Sequence, residues 1–345
     1  MKVLVTGSDG YIGTVLVDRL AKAGHEVHGM DSLWFRDCVF GPDRGPACPV
    51  SVKDMREVHP FDLHGFDAVC HLASLCNDPL GNMNPGLTEE INERASVRIA
   101  QYAAAAGVRR FVFSSSCSIY GASDGDFADE DAPLAPLTPY AVAKLRVEEA
   151  LKEMAGPDFS PVILRNATAY GFSPKLRLDL VVNNLAACAF TRRKIVLESD
   201  GTPWRPIVHV EDIADAFIAA LDAPVEQVHS RTFNVGCTAE NYQVRDIAEA
   251  IRDALGRCEI VLAPKAGPDR RTYRVNCDRI SGGLNGYRPR WTLRDGVNQL
   301  LDAFESHGLD EEQFRSPRYY RLAAIKERQA RGELDQYLYT AEAMA

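Results

Sequence analysis

Val3-Leu4-Val5-Thr6-Gly7-Ser8-Asp9-Gly10-Tyr11-Ile12-Gly13 decides how this chain is read. A short apolar run meets a glycine turn, and the apolar pattern of a helix (12–23) starts at once. Gly7 permits a tight turn, Gly10 lets backbone approach a pyrophosphate, and Gly13 lets the helix lie close on the strand. Tyr11 and Ile12 open that helix, whose unpaired N–H groups and positive dipole end suit phosphates. The next β-type run, 26–31, ends in Asp31. A carboxylate there accepts hydrogen bonds from a ribose diol and repels a 2′-phosphate, which selects NAD over NADP.

The same alternation continues outward. Further strand-like runs lie at 68–73, 110–115, 161–165 and 232–235, and helical patterns at 87–106, 139–154 and 210–221. Near-continuous apolar strands alternating with helices predict an α/β, Rossmann-type, doubly wound parallel sheet covered on both faces. After residue 167 the rhythm changes: 168–206 is loop-rich, with Pro174, Pro203 and Pro206, and many arginines follow residue 241. We expect residues 1–167, rejoined by 207–236, to form the NAD-binding domain. A smaller discontinuous substrate lobe is expected from 168–206 and 237–315, and 316–345 reads as a charged helical tail.

The 345 residues carry 48 acidic against 39 basic side chains, a net charge of -9, which counts against a nucleic-acid partner. It leaves room for an anionic small ligand held by a local basic pocket. No apolar run reaches the roughly 18 residues of a membrane span, and the N-terminus does not read as a signal peptide. Nine scattered cysteines without a CxxC pair predict reduced thiols and a cytoplasmic protein. Cys70, His71 and Cys76 resemble metal ligands only superficially. Cys70 and His71 are strand neighbours that point to opposite faces, so no metal site is expected.

Tyr140 and Lys144 stand at i and i+4, on one face of the helix predicted over 139–154. A tyrosine of pKa about 10 is a poor base at neutral pH, but a neighbouring ammonium and a positive nicotinamide ring both favour the phenolate. Tyr140 is thereby an acid–base for a sugar hydroxyl. The strand 110–115 delivers a run of hydroxyls, Ser114-Ser115-Ser116-Cys117-Ser118, to the sheet edge, with Ser116 placed to hydrogen-bond the reacting oxygen.

These segments resemble the extended short-chain dehydrogenases/reductases, in their NAD-dependent sugar-nucleotide epimerase/dehydratase group. The likeness runs from Met1 to about Phe304. It rests on Gly7/Gly10/Gly13, Asp31, His71-Leu72-Ala73, Asn92, the Ser116/Tyr140/Lys144 set, the run from Arg205 to Asp212, Phe233-Asn234-Val235-Gly236 and the run from Leu284 to Pro289. It implies NAD as cofactor, with Leu72 and Ala73 lining its site beside Tyr140 and Lys144. It also implies oxidation of a sugar hydroxyl to a 4-ketone, and a homodimer built on helices 87–106 and 139–154.

Dehydratases and decarboxylases of the group carry carboxylates just after the catalytic serine. Here Cys117 and Ser118 stand there, and neither replaces a carboxylate acid or base. That resembles the 4-epimerases, in which hydride returns to the other face of the ketose; a 4-keto-sugar reductase or dehydrogenase with exchangeable cofactor is the alternative. For the nucleotide sugar, the resemblance implies Asn184, of Asn183-Asn184-Leu185, and Arg205 at the diphosphate, the latter chemistry suiting a guanidinium. Asp269 and Arg271 (or Arg270) are implied at ribose or phosphate, and Ser118, Asn77 and Thr168 at the sugar. Ser51 occupies the place of an adenine-contacting Asp. Lys175 and Arg177 fall where C3/C5-epimerising relatives keep a general acid, with Cys117 or Cys76 then needed as base.

Overall fold

In the computed structural model, which describes residues 1–43, 45–122, 126–267, 272–284 and 286–340, the apolar runs assemble into one central sheet. The strands used below are β1 (Lys2–Thr6), β2 (Glu26–Asp31), β3 (Val50–Val52), β4 (Ala68–His71), β5 (Arg110–Ser116), β6 (Ser160–Asn166), β7 (Thr168–Tyr170), β8 (Lys194–Ser199), β9 (Trp204–His209), β10 (Arg231–Val235), β11 (Asn241–Gln243) and β12 (Glu259–Gly267). Seven of them form the sheet β10-β6-β5-β4-β1-β2-β3, parallel throughout. The chain winds outward from β1 first to one side and then to the other. A crevice therefore opens beyond the C-terminal ends of β1 and β4, where an open α/β sheet binds its ligand.

Successive residues of a strand feed opposite faces. Val3 and Val5 of β1 join Leu16 and Leu20 of α1 (Tyr11–Lys22) in one core, and Leu4 joins Val69, Phe111 and Phe113 in the other. The second core is closed by α2 (Ser96–Ala105) and α3 (Pro139–Met154), through Ile99 and Val147. α3 starts sharply because the Thr138 side chain accepts a hydrogen bond from the Ala141 N–H at 3.2 Å and Pro139 fills the first helical position.

The helix expected over 87–106 is interrupted. Glu89–Ala95 is wound as a π-helix before α2 begins. Asn92 lies inside that wider turn and clamps the Leu75 backbone, accepting from its N–H at 2.7 Å and donating to its carbonyl at 3.0 Å. That side chain thus helps to hold the loop that follows β4 into the crevice.

A second body of structure covers the crevice. β7, β9 and β11 form a small sheet, and β8 pairs with β12. Their core is closed by α4 (Val181–Arg192), α6 (Val244–Leu255) and α7 (Leu293–Ser306). Between them, α5 (Val210–Asp222) and β10 return to the central sheet. The last helix, α8 (Arg321–Ala330), together with Leu334 and Leu338, packs onto the central-sheet core beside Met55 and Val58. Among the described residues, no helix is long and apolar enough to cross a membrane.

Candidate active site

One cleft of about 1280 Å³ lies along the crevice, and the glycine turn forms one end of it. Gly7 has φ +74°, and a Cβ there would stand 2.8 Å from the Ala73 nitrogen; a Cβ on Gly13 would run into the Gly7 carbonyl. Only glycine lets these backbones approach, and they leave a cradle at the start of α1. Gly10, Tyr11, Ile12, Asp31, Leu72 and Ala73 all line it. Asp31 is fixed by the backbone N–H groups of Asp9 (3.0 Å) and Leu33 (2.8 Å). Burial nevertheless pushes its carboxyl up to about 6. A cradle free of Cβ atoms at a helix N-terminus, with a carboxylate at the end of β2, fits NAD.

The adenosine end differs from the expectation in one respect. Ser51 does not line the cleft; its hydroxyl bonds His28 at 2.9 Å. Lys53, Asp54 and Met55 line it instead, with Asp54 held by the Arg56 guanidinium at 2.6 and 3.0 Å. Ser51, in the short and largely exposed β3, offers no carboxylate to the cleft; the carboxylate just beyond that strand that lines it is Asp54.

Ser116, Tyr140 and Lys144 come together in the wall of the cleft. Burial raises the Tyr140 phenol above its ordinary pKa, while a hydrogen bond from Ser116 and the charge of Arg177 pull it back. Burial pulls the Lys144 ammonium down to about 8. That ammonium donates to the Ser114 carbonyl at 2.7 Å and lies 5.7 Å from the centre of the Tyr140 ring. β5 and α3 are bolted together directly behind this trio. Glu148, fully buried, accepts from Ser115 Oγ at 2.5 Å and from Arg165 Nη2 at 2.7 Å.

The residues after Ser116 behave differently from each other. Cys117 points away, toward the Arg165 carbonyl, and burial drives its thiol pKa far up, so it is no base. Ser118 lines the cleft with a buried hydroxyl that has no partner among the described residues. Asn166 is alike, with an unpartnered buried Oδ1. The sequence reading passed over it in favour of Thr168, which also lines the cleft.

Asn77, Asn184 and Arg205 also line the cleft. Asn77 donates to Asp179 at 2.7 Å, and Asn184 to the Leu178 carbonyl at 2.7 Å. Asn183 instead turns inward, onto Tyr11 and Gly171. Asp269 and Arg271 lie outside the described residues. Lys175 is committed to Asp9 at 2.8 Å and to the Phe35 and Arg36 carbonyls. This contradicts a general-acid role for it. Arg177 does reach the cleft, paired with Asp179 at 2.9 Å. Burial opposes both charges, yet each partner holds the other ionised. His71 is no metal ligand: it bonds Thr6 at 2.7 Å and Ser96 at 2.9 Å, and burial drops its pKa to about 3.

Comparison with known proteins shows the family. The model of the NAD dependent epimerase/dehydratase family matches residues 3–236. The UDP-glucose 4-epimerase of Mus musculus is 30% identical over 290 residues, covering 74% of this chain and 83% of that protein. The UDP-glucose 4-epimerase of Mycolicibacterium smegmatis is 29% identical, covering 89% and 99%. Among solved structures, MoeE5 in complex with UDP-glucuronic acid and NAD superposes with a TM-score of 0.77 at 28% identity, over 89% of this chain and 99% of that one. This chain belongs to the NAD-dependent epimerase/dehydratase family of extended short-chain dehydrogenases/reductases.

Proposed function

We propose that the protein inverts C4 of a nucleotide sugar, by way of a transient 4-ketone. The observation that carries this reading is the pair following Ser116. Cys117 faces the core and Ser118 offers only a hydroxyl, so neither supplies the carboxylate acid that dehydration or decarboxylation draws on. NAD, when bound at the glycine turn, supplies the hydride acceptor and donor. The chain's own part is the proton. Tyr140 takes it from the C4 hydroxyl and gives it back, with Lys144 favouring the phenolate and Ser116 holding the oxygen. Arg205 and Asn184 are read as grips on the sugar's diphosphate, and Ser118, Asn77 and Thr168 as contacts to the sugar. We read 168–206 and 237–315 as the lobe that holds the substrate. A homodimer through α2 and α3 follows from the family likeness; light scattering should then return twice the 38.0 kDa chain mass.

UDP-glucose is the first substrate to try, because the relatives named above carry that name. The test runs in D2O with the purified protein and no added cofactor. Conversion to the C4 epimer without deuterium at C4, together with about one NAD released per chain on denaturation, is the expected result. Deuterium at C3 or C5 would mean epimerisation by proton exchange. A protein that arrives empty and consumes added NADH with a 4-keto sugar nucleotide would be a reductase.

A further inference from the structure

The C-terminal segment contributes a side chain to the cofactor cleft that neither the glycine turn nor the family motifs foreshadow. Arg321, the first residue of α8, lines the cleft and is only 1% exposed. Its guanidinium lies over the Phe35 ring at 4.5 Å, and Nη2 donates to the Lys175 carbonyl at 2.9 Å. Nη1 is buried and has no hydrogen-bond partner among the described residues.

The two cations beside it are matched: Lys175 by Asp9 and Arg177 by Asp179. Arg321 has no carboxylate within ion-pair distance among the described residues. Burial, and then the neighbouring charge of Arg177, depress its pKa below the ordinary value. A buried guanidinium without a counter-charge is costly, and an anion in the cleft would relieve it.

Its surroundings indicate which anion. Ser173 Oγ donates to the Tyr11 carbonyl at 2.8 Å and accepts from the Lys175 N–H at 3.2 Å, and the Lys175 carbonyl in turn holds Arg321. Three short links thus tie this guanidinium to the first residue of α1, whose N-terminus is the anion site of the fold.

We propose that Arg321 is a cofactor-binding residue whose guanidinium engages the diphosphate of bound NAD. The tail carrying it is anchored to both walls of the adenosine end. The Tyr319 carbonyl accepts from the Leu178 N–H at 2.8 Å, and Arg328 pairs with Asp37 at 2.8 Å. Arg56 donates to the Tyr337 carbonyl at 2.8 Å and stacks on Tyr339 at 3.6 Å. Residues 316–340 therefore act as a clasp. It suits a reaction in which the cofactor is regenerated in place, and the inference rests on the NAD reading above.

The test measures binding, not turnover. Protein stripped of cofactor is titrated calorimetrically with NAD, ADP-ribose, adenosine and UDP, comparing wild type with Arg321→Met and Arg321→Gln. Loss of one charge-assisted hydrogen bond should weaken NAD and ADP-ribose by about 10- to 100-fold. Adenosine, which has no phosphate, should change less than about twofold, and UDP should be unaffected. Bound NAD should also exchange faster with labelled NAD in both variants. Arg321→Gln keeps a polar side chain without the charge and decides the matter if Arg321→Met folds poorly. Unchanged NAD affinity, an equal loss for adenosine, or a loss confined to UDP would each overturn the proposal. Wild type that binds neither NAD nor ADP-ribose would overturn the cofactor reading with it.

Discussion

At the scale of single residues, Tyr140 and Asp31 make the sharpest claims. Tyr140→Phe removes one oxygen and leaves the ring in place. The epimerisation rate should fall by about 10²–10⁴-fold with NAD affinity unchanged, and kinetics beside a cofactor titration would show it. A smaller fall in rate would remove Tyr140 as the proton carrier. Asp31 sets a pH dependence. Its folded-state pKa, about 6, lies above the ordinary carboxyl value of 3.8, so ionising it costs the empty protein stability as pH rises through about 6. The ionised form is the one that accepts from a ribose diol. NAD affinity should therefore be level above about pH 6 and weaken by up to about tenfold per unit below it; Asp31→Asn should abolish the slope. Calorimetry from pH 5 to 8 checks both. Asp31, the glycines and the Ser–Tyr–Lys set were legible because each rests on a short local pattern. Asn166, Asp54 and Arg321 were not. Their places in the cleft depend on a buried atom without a partner, on a turn after a three-residue strand, and on tertiary docking of a charged tail.

At the scale of elements, the catalytic trio depends on how β5 and α3 are joined. Glu148 of α3 takes hydrogen bonds from Ser115 of β5 and from Arg165 of β6, and Arg165 Nη1 donates onward to Tyr120 at 2.9 Å. Glu148→Ala would strand a buried guanidinium. It should cost about 3–5 kcal/mol in chemical denaturation, whereas Glu148→Leu with Arg165→Met should cost much less. Equal losses would mean that packing, not charge, is what the pair supplies. The single variant should also lower the turnover number, because Ser116 and Tyr140 sit on the two elements it uncouples. Apolar continuity announced six of the seven sheet strands, and i, i+4 spacing announced α3. The π-helical turn at Glu89–Ala95 was invisible, since its apolar residues still repeat at nearly helical intervals; its reason is the reach of Asn92 to the Leu75 backbone.

At the scale of the whole molecule, the cofactor end of the cleft is also the seam between the central sheet and the structure that covers it. Tyr11 donates to the Gly171 carbonyl at 2.7 Å and accepts from Asn183 at 3.2 Å; Lys175 reaches Asp9, and Arg321 reaches Lys175. These contacts tie the covering structure to the glycine turn and the start of α1, and two of them, through Lys175 and Arg321, bring positive charge near it. The seam should then be loosest without an anion between its walls and tightest with one. β1, β4 and β5 lie in the buried sheet and owe nothing to that anion. Binding to the native state stabilises it by mass action, and local openings of the contacted segments are suppressed most. Hydrogen exchange read by mass spectrometry, with and without saturating NAD, should show slower exchange in 171–185 and 316–340 with little change in β1, β4 and β5. ADP-ribose should reproduce that pattern, since it carries the diphosphate, and adenosine should not. Protection spread evenly over the chain would mean that NAD acts through global stability alone, and protection limited to β1 and α1 would separate the covering structure from the cofactor altogether.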